Sequence, residues 1–166
     1  MTGSTADTYR VAASTFQPEV TDGLLRSLPE WFGDEPSIVE YVEAAGRLPT
    51  YLATAAEGAV VGVLLLEWHF PTSAEVHLMA VDREWHRRGV GRALVAAAER
   101  DVRSAGASLL SVKTLGASRP DTNYAATRKF YGAIGFLPLE ELLALWPGNP
   151  CLVLVKPLGR GGSTGP

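Results

Sequence analysis

The segment HRRGVGRAL, from His86 to Leu94, places two glycines one residue apart among three arginines and a histidine. It lies between a strand-like stretch, AEVHLMAVD, and an apolar run with helical spacing. The N-terminus of a helix has backbone N–H groups without intrahelical partners, and its dipole favours negative charge. Because Gly89 and Gly91 carry no Cβ atom, an anion can approach the main chain closely. The spacing therefore predicts a phosphate or pyrophosphate site.

Other phosphate-binding loops fit this segment less well. A Walker A loop is excluded because no Gly-Lys-Ser/Thr follows. A Rossmann loop shares the start Gly89-x-Gly91, but Leu94 fills its third glycine position. The next predicted strand, LLSVKTL, also lacks a terminal acidic residue that would hold a ribose. A tight, solvated turn with chance arginines is the structural alternative, and we favour the anion site over it.

Groups for proton transfer occur on the strand before this loop. Glu75 and His77 lie two residues apart in AEVHLMAV, so their side chains share one face of a strand. A carboxylate or an imidazole facing a cleft can act as a general base. Glu67 and His69 on the preceding predicted strand are reserve candidates. An equally weighted interpretation makes Glu75 a solvated residue at the strand start and His77 a packed sheet histidine.

Apolar periodicity predicts the elements that position these groups. The order is strand, two helices, three strands, helix, strand, helix and closing strands, which indicates an α/β chain with a mixed sheet. The helix after the glycine loop begins at Gly89 or Val90 and ends near Gly106, and a later helix stops at Gly135. The stretch FLPLEELLALW fits either a strand or a helix, whereas CLVLVKPL is a closing strand.

Composition excludes several classes of protein. The chain has 166 residues, enough for one domain, and its net charge of −3 leaves no basic surface for wrapping nucleic acid. The longest apolar run, AVVGVLLL, is too short to span a bilayer, and MTGSTADTYR lacks the features of a signal peptide. We therefore expect a cytoplasmic protein without nucleic-acid or membrane partners. Cys151 is the single cysteine and is expected to pack as a small apolar residue.

The stretch VHLMAVDREWHRRGVGRAL resembles the coenzyme A signature of the GNAT family of N-acetyltransferases, which is Gln/Arg-x-x-Gly-x-Gly/Ala after a strand. FYGAIGF is similar to the family's second motif, a helix with a tyrosine and a closing Gly-Phe. His86 stands where Gln or Arg is usual, and an imidazole is a weaker phosphate donor than a guanidinium. The resemblance implies one GNAT domain over residues 9–158, with a mixed, largely antiparallel sheet flanked by helices. Flexible ends are expected at residues 1–8 and 159–166.

The resemblance also implies an activity, the transfer of an acetyl group from acetyl-CoA to a primary amine of a small molecule or peptide. The amine would attack directly in a ternary complex, without a metal. Main-chain groups of Met79, Ala80 and Val81 would pair with the pantetheine arm like an added strand. The other residues expected at the cofactor are His86, Arg87, Arg88, Gly89, Val90, Gly91, Arg92 and Asn123. Asn123 lies eight residues before the motif's tyrosine, whereas the family often has asparagine seven before it.

Acid and base roles follow from the same resemblance. Tyr131, in FYGAIGF, is the expected acid that protonates the leaving thiolate. The family carries its base on the strand of Glu75 and His77. Of the two we favour Glu75, because a carboxylate at the start of the strand can face water, while His77 lies one pleat deeper.

By the same resemblance, the acceptor site would be built by the first two helices and the loop between the last strands. Trp31, Phe32 and Trp146 are expected to form its apolar walls. Four acidic residues there could attract a cationic amine, namely Asp34, Glu35, Glu140 and Glu141. Core packing and solvated turns explain these residues equally well, and the acceptor stays unidentified.

Two functions from other classes remain as alternatives. A non-catalytic acyl-CoA-binding sensor on the same fold would need neither Tyr131 nor Glu75. A nicotinamide-dependent oxidoreductase is disfavoured by the glycine loop, as argued above. The sequence also leaves a homodimer open.

Overall fold

The helices and strands lie close to where apolar periodicity predicts them. A computed structural model describes residues 8–159, so the ends expected to be flexible lie outside the described residues, apart from Thr8 and Gly159. The described residues form seven strands and four α-helices. In chain order these are β1 (Tyr9–Ser14), α1 (Pro18–Arg26), α2 (Glu35–Ala45), β2 (Thr50–Ala55), β3 (Val60–Phe70), β4 (Ser73–Val81), α3 (Val90–Ser104), β5 (Leu109–Leu115), α4 (Thr122–Ala133), β6 (Leu137–Trp146) and β7 (Asn149–Pro157).

All seven strands belong to one sheet with the order β1-β2-β3-β4-β5-β7-β6. β4 and β5 run parallel, whereas β1 and β2, β2 and β3, β5 and β7, and β6 and β7 pair antiparallel. The prediction of an α/β fold with a mixed, largely antiparallel sheet is confirmed. Within the described residues the ladder between β4 and β5 joins Ser73–Val76 to Leu109–Val112, and β4 continues to Val81 beyond it.

The segment FLPLEELLALW, for which the sequence allows two structures, forms the edge strand β6. Its leucines at positions 137, 139, 143 and 145 are 48% to 71% exposed. A half-buried strand normally reveals itself by apolar residues on its buried face. Because β6 places most of its leucines in solvent, its apolar pattern does not distinguish a strand from a helix.

The described residues group into two compact units, and β3, β4 and α3 contribute residues to both. The first unit consists of the chain up to Leu66 together with Leu78–Ala98. The second consists of Glu67–His77 and the chain from Glu99 onward. None of the helices within residues 8–159 is both long and apolar enough to cross a bilayer.

The core of the first unit lies between α1, α2 and the sheet. Pro18 occupies the first turn of α1, and the Asp34 side chain caps α2 by accepting a hydrogen bond from Ser37 N at 3.1 Å. The helical spacing of the apolar residues then turns one side of each helix inward. The buried members are Leu24, Leu25, Leu28, Ile38, Ala44 and Ala45 from the helices and the turn after α1, with Leu48, Val63, Leu65, Leu78 and Ala80.

Gly62 of β3 determines how closely the first turns of α3 approach the sheet. A Cβ atom at Gly62 would lie 3.0 Å from Val90 Cγ1 and 3.0 Å from Leu94 Cδ1. Both of these helix residues are buried. The missing side chain therefore lets α3 pack directly on β3, and this contact positions the N-terminus of α3.

Packing in the second unit holds α4 against β5. The Arg128 guanidinium donates a hydrogen bond from Nη1 to the carbonyl oxygen of Leu115 at 2.8 Å. Gly135 has a φ of 101°, a left-handed conformation that ends the helix segment as predicted. Cys151 of β7 is fully buried, and burial raises the pKa of its thiol, so its predicted packing role is confirmed.

Candidate active site

The glycine loop ends in two residues with left-handed backbone conformations before α3 begins. Arg87 has a φ of 62° and Gly89 a φ of 82°, and Arg87 is the one non-glycine residue with a positive φ in the described part of the chain. The first hydrogen bond of α3 runs from Ala93 N to the carbonyl oxygen of Gly89 at 3.0 Å. The three N–H groups before it, at residues 90–92, therefore have no intrahelical acceptor. The predicted anion site would use these N–H groups, and it stays a prediction.

His86 is anchored to the end of β4 within the same unit. Its Nε2 atom lies 2.7 Å from the carbonyl oxygen of Val81, and its ring contacts Trp31 edge-to-face at a centroid distance of 5.4 Å. A histidine ring has two nitrogens, so this contact leaves only Nδ1 for an anion. Trp31, expected in an acceptor wall, instead packs against the glycine loop.

Aromatic residues that the sequence analysis missed support the loop from the side. The Arg88 guanidinium lies over the Trp85 ring, 5.2 Å from its centroid, and Tyr9 contacts Trp85 edge-to-face at 6.1 Å. A Cβ atom at Gly89 would lie 3.3 Å from the Tyr9 hydroxyl. No sequence signal links Tyr9 to this loop, because 79 residues separate it from Arg88. Only the folded chain brings them together.

Met79, Ala80 and Val81 form the last part of β4, beyond the described ladder with β5. Ala80 is buried, while Met79 and Val81 are half-buried. Main-chain groups of such a strand end can pair with an extended ligand. The expected contact of these residues with the pantetheine arm stays a prediction, and the carbonyl oxygen of Val81 already lies 2.7 Å from His86 Nε2.

Five polar side chains of the second unit form a group that we call the histidine–glutamate cluster: Glu67, His69, Glu75, His77 and Lys113. His77 Nδ1 lies 3.0 Å from Glu67 Oε2, and His69 Nε2 lies 3.4 Å from Glu75 Oε1. Lys113 of β5 donates a hydrogen bond to Glu75 Oε2. Both predicted base candidates and both reserve candidates therefore belong to one interacting group.

Burial within the cluster is the reverse of what the sequence suggests. The side chain of Glu75 is 6% exposed, whereas that of His77 is 25% exposed and that of Glu67 is 28% exposed. A buried carboxylate needs a counter-charge, and Lys113 supplies it. The expectation that Glu75 faces water at the strand start is therefore corrected, because the ion pair with β5 holds it inside the sheet's packed face.

Three side chains of this cluster are close enough together to be considered as ligands of a metal ion. One ligand atom each from Glu67, Glu75 and His77 lies within 4.8 Å of the other two. The Lys113 ammonium already lies on Glu75 and provides the positive charge that a cation would bring. We therefore assign an ion-pair cluster to these residues.

Tyr131, the predicted acid, lies near the end of α4 and is buried, with 4% of its surface exposed. Its ring contacts Phe130 and Phe136 edge-to-face at centroid distances of 5.1 Å and 5.3 Å. The Tyr131 carbonyl oxygen accepts hydrogen bonds from Ile134 N and Phe136 N, which close the turn after the helix. The motif FYGAIGF thus packs the tyrosine ring against two phenylalanine rings.

Asn123 lies in the first turn of α4 and is half-buried. Its main-chain N–H donates to the capping side chain of Asp121 at 2.9 Å, and its carbonyl oxygen accepts from Thr127 Oγ1 at 3.2 Å. These contacts involve main-chain atoms of Asn123. They leave its proposed cofactor contact as a prediction.

Most acidic residues expected at the acceptor have structural partners instead. Glu35 accepts two hydrogen bonds from Arg26 at 2.8 Å, which lower its pKa. Hydrogen bonds from Ser37 lower the pKa of Asp34, the cap of α2. Glu141 accepts from Ser118 N and Oγ, at 3.2 Å and 2.9 Å. Three of the four side chains therefore bind partners within the fold. Glu140 is exposed, and the described contacts include no such partner for its side chain.

The aromatic residues expected at the acceptor fall in both units. Phe32 packs against the core of the first unit and contacts Tyr41 edge-to-face at 5.9 Å. Trp146 lies at the end of β6, paired with Asn149 across the turn into β7, and is half-buried. Phe32 thus follows the core-packing alternative, and Trp146 is the aromatic candidate next to a loop.

Comparison with known proteins gives a matching family model and solved structures with the same fold. The family model of the acetyltransferase (GNAT) family matches residues 14–136. A solved structure assigned to the GNAT acetyltransferases from Desulfovibrio desulfuricans is 21% identical, with 92% of this chain and 100% of that chain covered and a TM-score of 0.74. An IAA acetyltransferase from Bacillus cereus is 21% identical over 91% and 100% of the two chains, with a TM-score of 0.71.

A GNAT family acetyltransferase from Elizabethkingia anophelis, solved with acetyl-CoA bound, is 16% identical over 92% and 99% of the two chains, with a TM-score of 0.70. A search of the curated proteins returned no significant match. At these identities the solved structures establish the fold alone.

Proposed function

Because the chain belongs to the acetyltransferase (GNAT) family, we propose that it transfers an acetyl group from acetyl-CoA to a primary amine of a small molecule or peptide. The N-terminus of α3 carries the proposal. There, the N–H groups of residues 90–92 precede the first helical hydrogen bond, next to Arg87, Arg88 and Arg92. Backbone donors, a helix dipole and nearby guanidiniums together fit a pyrophosphate. The fold shared with the acetyl-CoA complex from Elizabethkingia anophelis supports acetyl-CoA as donor.

Different residues would contact different parts of the cofactor. The N–H groups of residues 90–92 and the missing Cβ of Gly91 let the pyrophosphate approach the helix end. Arg87, Arg88 and Arg92 supply the compensating charge, and His86 would contribute at most one donor. The end of β4, Met79 to Val81, would pair with the pantetheine arm, and one amide there would face the thioester oxygen.

When bound, acetyl-CoA supplies a thioester whose carbon–sulfur bond breaks as the amine nitrogen bonds to the acyl carbon. Tyr131 donates its hydroxyl proton to the departing sulfur. Its ring contacts those of Phe130 and Phe136 edge-to-face, and these contacts support a donor that is oriented before the reaction. A proton donor that is already oriented lowers the entropic cost of reaching the transition state.

The acceptor amine must lose a proton before it attacks. An alkyl amine resembles lysine, so the neutral form at pH 7 costs about 4–5 kcal/mol. A base on β4, Glu75 or His77, would remove that proton, either directly or through water. Both side chains lie in the histidine–glutamate cluster.

A panel of amines tests the proposal. Thiol release from acetyl-CoA is followed with polyamines, amino acids, aminoglycosides and peptides with free N-termini, and the acetylated product is verified by mass. We expect amine-dependent thiol release with at least one class. CoA binding without release across the whole panel would instead favour the acyl-CoA sensor. Binding of NAD without binding of CoA would contradict both functions.

A further inference from the structure

Within the proposed acetyl transfer, on which this inference rests, we propose that His86 is a positioning residue of the glycine loop and not a ligand of the pyrophosphate. Its Nε2 atom lies 2.7 Å from the carbonyl oxygen of Val81. A carbonyl oxygen can only accept a hydrogen bond, so Nε2 must carry the hydrogen. The Nδ1 atom of the neutral ring then has a lone pair, which repels a phosphate oxygen instead of binding it.

The residue after His86 has a backbone conformation that needs support. Arg87 has a φ of 62°, in the left-handed region. In a residue with a Cβ atom, this conformation is disfavoured by about 5–30-fold in population. A return of Arg87 to a negative φ would change the direction of the chain just before α3. The position of His86 therefore bears directly on the helix end that is proposed to hold the pyrophosphate.

Two contacts hold the chain that leads into Arg87. The ring of His86 meets Trp31 edge-to-face at a centroid distance of 5.4 Å, and Trp31 itself packs against the core of the first unit. The neighbouring residue Glu30 accepts a hydrogen bond from Arg83, three residues before His86. The turn after α1 is thus joined twice to the start of the glycine loop. A histidine that served only as a phosphate ligand would need neither contact.

The chain after Arg87 has supports of its own. The Arg88 guanidinium lies over the Trp85 ring at 5.2 Å, and the Tyr9 hydroxyl donates a hydrogen bond to the carbonyl oxygen of Arg88 at 3.5 Å. Arg87 therefore lies between two anchored neighbours, His86 and Arg88, and all of these contacts lie within the first unit. A strained conformation persists when the surrounding contacts determine it in this way.

The test begins with the affinity for CoA, measured by calorimetry. A ligand binds more weakly in proportion to the fraction of molecules whose binding loop is not formed. His86→Ala and Trp31→Ala release Arg87, so each should weaken CoA binding by about 5–30-fold. Trp31→Phe retains an aromatic ring for the edge contact and should retain most of the affinity. Trp68→Ala is the matched control, because it removes another partly exposed tryptophan, from β3, and it should bind CoA as the wild type does.

A glycine at position 87 separates positioning from general destabilisation. Glycine adopts a positive φ without a steric penalty. The Arg87→Gly background removes one guanidinium from every variant that is compared within it. In this background, His86→Ala should weaken CoA binding less than it does when Arg87 is present. An equal loss in both backgrounds would show that His86 acts directly on the cofactor and would overturn the inference.

Measurements without cofactor separate this inference from the proposed function. At the pH of the binding measurements, nitrogen-15 NMR should show a hydrogen on Nε2 of His86 and none on Nδ1. Backbone chemical shifts should report the positive φ of Arg87 in the wild type and its loss in Trp31→Ala. A hydrogen on Nδ1 overturns the inference, and so does wild-type CoA affinity in His86→Ala or in Trp31→Ala. Failure of the wild type to bind CoA contradicts the proposed function, whereas the NMR result still decides whether His86 and Trp31 position the loop.

Discussion

The Lys113 ammonium donates a hydrogen bond to the carboxylate of Glu75, the most buried side chain of the histidine–glutamate cluster. The two residues are 38 positions apart and lie on the parallel strands β4 and β5. The Glu75–Lys113 pair thus links the strand that carries both base candidates to the strand after α3.

This pair makes Lys113→Met a destabilising change. Removal of the ammonium leaves a nearly buried carboxylate without its partner, which we expect to cost about 1–3 kcal/mol, because Lys113 is itself one-third exposed. Urea unfolding at pH 7 measures the loss. The double variant Lys113→Met with Glu75→Gln should recover part of it, because no charge is then left alone. Equal stability of wild type and Lys113→Met would contradict a structural ion pair.

The proposed anion site predicts that Gly91→Val weakens CoA binding at least tenfold, about 1.4 kcal/mol, because the added side chain blocks approach to the helix N-terminus. Calorimetry of CoA binding measures the effect. Gly23→Val in α1 is the matched control, since it places valine in a helix position with nothing within 4 Å of the new Cβ. If both variants bind CoA as the wild type does, the pyrophosphate does not lie at this helix end.

The proposed acid predicts that Tyr131→Phe turns over about 10²–10⁴-fold more slowly and still binds CoA. Phenylalanine retains the ring contacts with Phe130 and Phe136, so the variant should fold. Single-turnover rates of acetyl transfer, with Tyr51→Phe as a matched removal of a buried hydroxyl, measure the effect. Wild-type rates in Tyr131→Phe, with chemistry rate-limiting, would show that another group protonates the thiolate.

The contacts of Glu99 predict that the free energy of unfolding depends on pH. Burial raises its pKa, but hydrogen bonds from Lys156 at 2.6 Å and Arg103 at 2.8 Å outweigh burial, and its pKa lies below the usual value. A carboxyl whose pKa is lower in the folded state stabilises the fold above its unfolded pKa of about 4.3, and this stabilisation disappears as the pH falls through the folded value.

The free energies of unfolding of wild type and Glu99→Gln should therefore differ at pH 7 and converge as the pH falls below 4. Chemical unfolding at several pH values measures this convergence. Lys156→Met, which removes one cause of the shift, should flatten the pH dependence as well. A difference between wild type and Glu99→Gln that stays constant down to pH 3 would show that the carboxylate charge contributes nothing.

Much of the glycine loop can be predicted from the sequence, because its determinants are contiguous. The helical spacing after Gly89, the missing Cβ atoms and the preceding strand all act over a few residues. The same holds for the capping side chain of Asp34 and for the helix end at Gly135, whose φ is 101°. Local sterics and hydrogen bonds decide such features, so the sequence alone suffices for them.

The roles of charged side chains depended on partners that are distant in the sequence. The residue type of Glu141 suggests a site for a cationic amine, yet its carboxylate binds Ser118, 23 positions away. Glu35 is likewise held by Arg26 of another helix. Residue type shows that a group can carry charge, but the fold decides whether that charge is already neutralised.

By itself, the sequence determined the order of elements, the helix N-terminus at the glycine loop and the shared face of Glu75 and His77, because periodicity and backbone preferences act locally. Only the tertiary structure decided which of these two groups is buried and which partner each one has. Strand alternation assigns a side chain to a face, whereas the register of β3 against β4 brings Glu67 to His77, and the parallel pairing with β5 brings Lys113 to Glu75. These pairings depend on contacts between segments up to 38 residues apart, and no local pattern in either segment encodes them.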